Sequence, residues 1–400
     1  MRGNFVKSQK PKAKSQIEFL PPAFEERLEE KRIVLSHGAG GRKMHRLIEN
    51  IFLKNFGNSV LKRLEDSAVL DIRQDLPKNG KLCFTTDSYV VQPLFFSGGD
   101  IGKLAVYGTI NDLAVLGAKP LYLSVGFVLR EGLPVSVLEK ICASIARASR
   151  RAGVKVVTGD TKVIEGLPRA EEIGSPIRVA MTGVRERDAF TSLGMREPRG
   201  RNGDELYINT SGIGVRYPMV RLGGEFVRPG DLLLINGGIG EHEAAIAISR
   251  GDYQLKARLK SDCAPLHRMI QAVLRCGGVS LMRDPTRGGL ATTLNEFAQV
   301  NGLGYVVEEE LLPVSKGVKG VAELLGLDPL YMANEGKVVL VVRPESAIKV
   351  LKVMRRFPSG RGARVIGKVV KEPAGVWLKT RLGSLRRLLM LEGEQLPRIC

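Results

Sequence analysis

The chain has 400 residues, 44% of them hydrophobic and 26% charged, with a formal charge of +19. At roughly 100 to 200 residues per domain, that length and apolar content suit two packed domains. No apolar run approaches the roughly 18 residues of a membrane helix, Met1 to Gln16 is basic without an apolar core, and five cysteines with no CxxC pair argue against a disulfide framework or structural zinc, which fits a reducing cytoplasm.

The positive charge invites a nucleic-acid reading, but its distribution does not support one. Residues 343–400 carry fourteen Lys or Arg against four acids, yet aromatics are only 6% of the chain and no DNA- or RNA-binding motif occurs. A basic surface so poor in stacking residues suits an acidic protein partner or an anionic substrate at least as well, and thermal adaptation is a third reading.

Residues 1–31 read as an extension: a basic arm (Arg2, Lys7, Lys10, Lys12, Lys14), then Pro21-Pro22, then a short acidic helix over Ala23–Glu30. A strand at Ile33–Ser36 runs into His37-Gly38-Ala39-Gly40-Gly41-Arg42, and Met44, Leu47, Ile48 and Ile51 mark a helix over Lys43–Phe56. A strand over Leu82–Thr86 ends on Asp87. Ser97-Gly98-Gly99-Asp100 opens a helix with Asp100 as N-cap and Ile101, Leu104, Ala105 and Leu113 on its buried side. That helix contains Asn111-Asp112, and an acid inside an apolar helix requires a reason. A strand at Tyr122–Leu129 and a helix over Val135–Arg151 follow. The next strand, Val154–Thr158, delivers Gly159-Asp160-Thr161-Lys162 at its end.

Residues 165–205 mix eight acids with seven bases and carry a breaker cluster at 197–203, so they read as an insertion, with one strand at Ile177–Thr182. They interrupt a first domain over 32–212 that resumes at Leu206–Thr210. The Gly-rich stretch over Gly212–Pro229 is a hinge, with the linker proper at 213–228. A second domain over 229–385 holds strands at Asp231–Ile235, Val279–Met282, Tyr305–Glu308, Val338–Val342, Arg364–Val369 and Val376–Lys379. Its helices fall at about Glu241–Arg250, Pro265–Arg275, Gly288–Val300, Val318–Leu325 and Glu345–Arg356. Strands and helices alternate irregularly in both halves, which predicts an α+β fold.

Residues 386–400 read as a mobile tail ending in Leu396-Pro397-Arg398-Ile399-Cys400. A terminal residue is usually poorly ordered, and the last twelve residues extended could reach ~40 Å. The thiol of Cys400 could thus visit two sites in turn. Arg398 favours its thiolate, although the terminal carboxylate opposes this. An accident of where the chain stops is the competing reading.

Four aspartates stand at strand ends or element starts: Asp66, Asp87, Asp112 and Asp284. Oxygen-only ligands of this kind are what Mg²⁺ takes when it also bridges polyphosphate oxygens, although any one of them alone is more often a turn former or cap. Gly38 to Gly41 and Gly288-Gly289 precede helices, so their bare N–H groups could hold phosphate or simply make a turn. Neither loop fits a standard phosphate motif, and Gly98-Gly99-Asp100-Ile101-Gly102-Lys103 is one residue short of a P-loop. Lys162, after Gly159-Asp160-Thr161, and Glu335, in Ala333-Asn334-Glu335-Gly336-Lys337, are the candidates for proton transfer, with a solvated surface pair as the alternative.

Taken together, HGAGGR (37–42), TTDSYVVQPLFF (85–96), GGDIGKLAVYGTINDLAVLGA (98–118), GDTKV (159–163), RDPTRGGLATTLNE (283–296), LLGLDPLYMANEGK (324–337) and LPRIC (396–400) resemble the HypE family, the carbamoyl dehydratases of NiFe-hydrogenase maturation. The resemblance runs from about Ile33 to Cys400. It implies the two-domain α+β fold of aminoimidazole ribonucleotide synthetase and selenophosphate synthase, a homodimer, and ATP with Mg²⁺. It also implies partners: a HypF-type carbamoyltransferase that loads Cys400, and a HypC-HypD scaffold whose iron receives the cyano group.

By the same resemblance, Mg²⁺ would be held by Asp66, Asp87, Asp112 and Asp284. Together with these, Gly38, Gly40, Gly41, Asn111, Asp160 and Thr161 would border the nucleotide. Cys400 would carry the thiocarbamate, and Lys162 and Glu335 would work on it once ATP had phosphorylated its oxygen. Three departures stand out: Ala39 interrupts the family's glycine run, Gly240-Glu241-His242-Glu243 replaces Gly-Asp-His-Gly, and the 165–205 insertion follows the Gly-Asp-Thr-Lys motif directly. Two other classes stay open. One is a different ATP-dependent member, of the selenophosphate or thiamin-phosphate kinase type, which needs no terminal cysteine. The other is a passive carrier of Cys400, which needs no metal aspartates.

Overall fold

In the computed structural model, residues 31–39, 41–65, 67–165, 205–251 and 259–391 are described. The helix expected near the start is α1 (Arg42–Leu47), continued through a π-helical stretch (Ile48–Leu53) into α2 (Lys54–Phe56). Then come β1 (Lys81–Tyr89), a small ribbon of β2 (Phe95–Phe96) and β3 (Gly99–Asp100), α3 (Ile101–Val115), β4 (Ala118–Arg130), α4 (Val135–Ala152), β5 (Lys155–Ile164) and β6 (Leu206–Arg216). Strands β1, β6, β4 and β5 form one sheet in that order, antiparallel except for the β4/β5 pair.

Burial alternates along β4, with Leu123, Val125, Phe127 and Leu129 facing the core with α3 and α4. Asp100 caps α3 as expected, its Oδ1 accepting the Lys103 N–H at 2.9 Å. Thirteen of the fifteen α3 residues are buried, so this helix lies inside the molecule instead of on its surface.

Three strands run further than expected. Asp87 is not past the end of a strand but inside β1, opposite Thr210 of β6. Gly159-Asp160-Thr161-Lys162 is not a loop after a strand but the middle of β5, paired with Val125–Val128. Strand β6 reaches Arg216, so the first residues of the expected hinge are sheet. In each case the apolar run stops early, while cross-strand pairing carries on through polar residues on the open face.

The second half contains β7 (Leu232–Ile235), α5 (Glu241–Arg250), α6 (His267–Leu274), β8 (Val279–Arg283), α7 (Gly289–Asn301), β9 (Gly304–Glu308), α8 (Lys316–Leu325), β10 (Val339–Val342), α9 (Pro344–Met354), β11 (Arg364–Val370), β12 (Gly375–Lys379) and β13 (Leu385–Arg387). Its sheet runs β13-β12-β9-β11-β7-β10-β8, with only β9/β12 parallel. Strand β13 and the buried Leu388 place the first residues of the expected tail on this sheet.

Helix α3 belongs to both halves. Ala114 and Val115 pack in one core with Met269, Ile270 and Val273 of α6, and buried Asn111 accepts the Leu266 N–H at 2.8 Å while donating to the Ala264 carbonyl at 3.0 Å. No helix among the described residues is long and apolar enough to cross a membrane.

Candidate active site

Four carboxylates from separate parts of the chain line one small cavity of about 70 Å³: Asp87 of β1, Asp112 of α3, Asp284 just after β8, and Glu335 in the turn before β10. Tyr89, Thr286 and Arg287 are also in its wall. The bond from the Thr85 hydroxyl to Asp112 Oδ2 (3.2 Å) ties β1 to α3. Gly288 and Gly289 take φ of +72° and +60°, and a Cβ on Gly289 would lie 2.7 Å from the Leu330 and Met332 carbonyl oxygens. Bare glycine there lets the loop carrying Asp284 close onto the segment carrying Glu335.

Burial and crowding of like charge set the electrostatics. Asp112 is pushed up to about 7, by burial first and then by Asp284 and Asp87. Asp284 rises to about 6, again chiefly by burial, with Asp87 adding to it and Arg283 opposing. Glu335 is driven well above the ordinary carboxylate range by burial, then by Asp262, Asp284, Asp87 and Asp112. A cluster of this kind stores repulsion that a bound cation relieves.

Among the described residues no group of three or more His, Cys, Asp or Glu side chains is arranged to hold a metal ion by itself. Mg²⁺ needs none: it keeps waters, takes one or two carboxylates and completes its shell with phosphate oxygens. Asp87, Asp112 and Asp284 line the cavity with oxygen donors only, so one or two of them suit an ion bound in that way.

The main chain around Glu335 is held on both sides. Its N–H and that of Gly336 donate to Asp262 Oδ1 (3.1 Å) and Oδ2 (3.0 Å), and its carbonyl accepts from Asn111 Nδ2 at 3.4 Å. Asn111, expected at the nucleotide, has its side chain committed to this internal clamp.

The remaining expected residues lie elsewhere. Asp160 and Lys162 project from the open face of β5 and pair with each other at 3.4 Å, while Thr161 is buried on the other face beneath α1 and α2. In register, Asp87 of β1 lies opposite Thr210, Thr210 opposite Val125, and Val125 opposite Gly159. Three strand spacings, roughly 14 Å, therefore separate Asp87 from Gly159. Lys162, expected beside Glu335, is on the far strand of the sheet within one chain. Gly38 abuts this strand, since a Cβ on it would come 2.8 Å from the Val163 nitrogen, and Gly41 precedes α1 in open space. Gly40, Asp66 and Cys400, together with the expected strand at 177–182, lie outside the described residues.

Asp262 and Lys337 were not singled out from the sequence. Their pairing spans 75 positions, and the only sequence signal was that Lys337 directly follows Asn334-Glu335-Gly336.

Residues 64–185 match the N-terminal domain, and 228–378 the C-terminal domain, of the family described as AIR synthase related protein. The carbamoyl dehydratase HypE of Rhodobacter capsulatus is 44% identical over 376 residues, covering 93% of this chain and 99% of the relative. The chain belongs to the HypE family. A crystal structure of hydrogenase maturation protein HypE in complex with ATP superposes with a TM-score of 0.77 at 42% identity, covering 92% of this chain and 99% of that one. HypE in a crystallised HypE–HypF complex gives 0.67 at 39% identity, covering 86% and 99%. The resemblance carried by HGAGGR, GDTKV and LPRIC is thus borne out across nearly the whole chain, as is the two-domain α+β fold it implied.

Proposed function

We propose that this chain is an ATP-dependent carbamoyl dehydratase acting on its own S-carbamoylated Cys400, converting the thiocarbamate to a thiocyanate that supplies the cyanide ligand of NiFe hydrogenase. The observation that carries this reading is the convergence of Asp87, Asp112, Asp284 and Glu335 in one cavity, in a chain that is 42% identical to a HypE crystallised with ATP.

An amide oxygen is a poor leaving group. In the first step the thiocarbamate oxygen takes the γ-phosphoryl group of ATP, and ADP departs. In the second, the nitrogen loses its two protons, the C–N bond becomes triple, and the C–O bond breaks with the oxygen leaving in phosphate. Glu335, whose side chain lines the cavity, accepts a proton from the nitrogen. Asp87, Asp112 and Asp284 would supply the carboxylates for Mg²⁺, which would neutralise phosphate charge when bound.

The outer face of the first sheet supports a homodimer. Leu82 and Phe84 of β1 are 54% and 65% exposed on it, beside the polar Thr86, Ser88, Asn209 and Ser211. Asp160 and Lys162 stand on the same face, so a second copy seated there meets them, and Lys162 serves the site in that assembly. A HypF-type carbamoyltransferase is the partner in this reading, as the crystallised HypE–HypF complex supports, and it loads Cys400 in the cytoplasm by our proposal. A HypC-HypD scaffold receives the cyano group on its iron.

Intact-mass measurement after incubation with a HypF-type carbamoyltransferase, carbamoyl phosphate and ATP tests the reaction. A carbamoyl adduct should become a cyano adduct, and only when ATP is present. A Cys400→Ser protein that still yields the cyano product would rule the reading out.

A further inference from the structure

Asp262 lies behind Glu335, and its carboxylate is committed to the main chain that carries it. One oxygen takes the Glu335 N–H at 3.1 Å and the other takes the Gly336 N–H at 3.0 Å. Lys337 Nζ sits 3.1 Å from the second oxygen and 3.1 Å from Glu241 Oε2, with its side chain 8% exposed and that of Asp262 1%. Asn236 closes the same turn, donating to the Gly336 carbonyl at 3.0 Å and accepting the Val338 N–H at 2.8 Å. The fit leaves no slack: a Cβ on Gly336 would lie 1.9 Å from the Asp262 carbonyl oxygen. None of these bonds uses the Glu335 side chain, which lines the cavity.

A buried ion pair is a weak source of stability, because apolar residues of similar volume often do as well. What apolar residues cannot do is grip two successive N–H groups with a charged acceptor, whose hydrogen bonds are about twice as strong as neutral ones. Those two N–H groups belong to Glu335 and its neighbour.

We propose that Asp262, gripped by Lys337, is a positioning residue for Glu335: it fixes the main chain at 335–336 so that the Glu335 carboxyl meets the nitrogen of the bound thiocarbamate. This rests on the reading of Glu335 as the proton acceptor, and the test separates the two.

Full-length protein is loaded with a HypF-type carbamoyltransferase, single-turnover conversion of the carbamoyl to the cyano adduct is timed by intact mass, and ATP affinity is measured separately. Asp262→Asn should slow conversion about ten- to a hundredfold, as a misplacement on the order of an ångström does, with ATP affinity changed by no more than about twofold. Lys337→Arg, which keeps a cation beside Asp262, should recover most of the rate that Lys337→Met loses. Adding Asp262→Asn to Glu335→Gln should cost nothing further, because residues acting through one group are not additive.

The positioning role is overturned if Asp262→Asn and Lys337→Met lose ATP affinity in step with conversion, or if both convert at the parent rate while Glu335→Gln is impaired. An unimpaired Glu335→Gln would bring down the proton-acceptor reading and the positioning role with it. Should Asp262→Asn fail to fold, Lys337→Arg against Lys337→Met decides alone.

Discussion

The hydroxyl of Thr85 and the Oδ2 of Asp112 lie 3.2 Å apart, joining the middle of β1 to a largely apolar helix. That bond and the cavity beyond it give the acid in α3 its reason. The bond favours the charged form, yet burial and the neighbouring Asp284 and Asp87 outweigh it and bring Asp112 to about 7.

A carboxyl raised in this way binds more protons folded than unfolded between its two pKa values. Its contribution to stability is therefore best below about 4 and declines as the pH rises toward 7. Asp112→Asn should stabilise the Mg²⁺-free protein at pH 8, on the order of 4 kcal/mol at about 1.4 kcal/mol for each pKa unit between about 4 and about 7, and change little at pH 4. Melting curves at the two pH values check this, and equal shifts at both would contradict it.

Mg²⁺ and ATP together should raise the melting temperature of the parent protein, because ligand at a hundredfold over its Kd adds about 2.7 kcal/mol. EDTA should abolish the gain. Asp284→Asn should abolish it as well, and should slow conversion of the carbamoyl adduct about a hundredfold, the equivalent of roughly 3 kcal/mol of lost charge stabilisation. Asp284→Asn that keeps the full thermal shift would remove Asp284 from the metal set.

Phe84→Asp places a charge on the open face of the first sheet. Burying one Phe side chain is worth about 2 kcal/mol and a two-fold dimer counts it twice, so the dimer Kd should rise on the order of a thousandfold. Sedimentation velocity on the parent and variant tests this. A parent that stays monomeric at high concentration would refute the dimer.

Gly108 of α3 faces Tyr89 so closely that a Cβ would lie 2.1 Å from the tyrosine hydroxyl oxygen. That hydroxyl meets Thr109 Oγ1 at 3.2 Å, and Thr109 meets Thr210 Oγ1 at 2.5 Å, which links α3 to β6 behind the carboxylate cavity. Gly108→Ala should destabilise the fold by about 1 to 3 kcal/mol, the usual cost of overpacking, and adding Tyr89→Phe should return part of that. Denaturant unfolding of the single and double variants gives the answer.

Local signals were sufficient for much of the framework. Helix α5 has the bounds read from the sequence, Asp100 caps α3, and Glu335 stands in a turn just before a strand, because backbone preference and capping depend on residues a few positions apart. The motifs from HGAGGR to LPRIC also identified the family, since residue types at matching positions are a property of the chain itself. Tertiary structure alone decided which groups face one another. It set Asp87, Asp112, Asp284 and Glu335 around one cavity, turned Asp160 and Lys162 to the open side of the sheet, and brought Asp262 and Lys337 together behind Glu335. Strand pairing assigns alternate residues to opposite faces, and burial selects partners across tens or hundreds of positions. The choice of distant partners leaves no mark in the spacing of nearby residues.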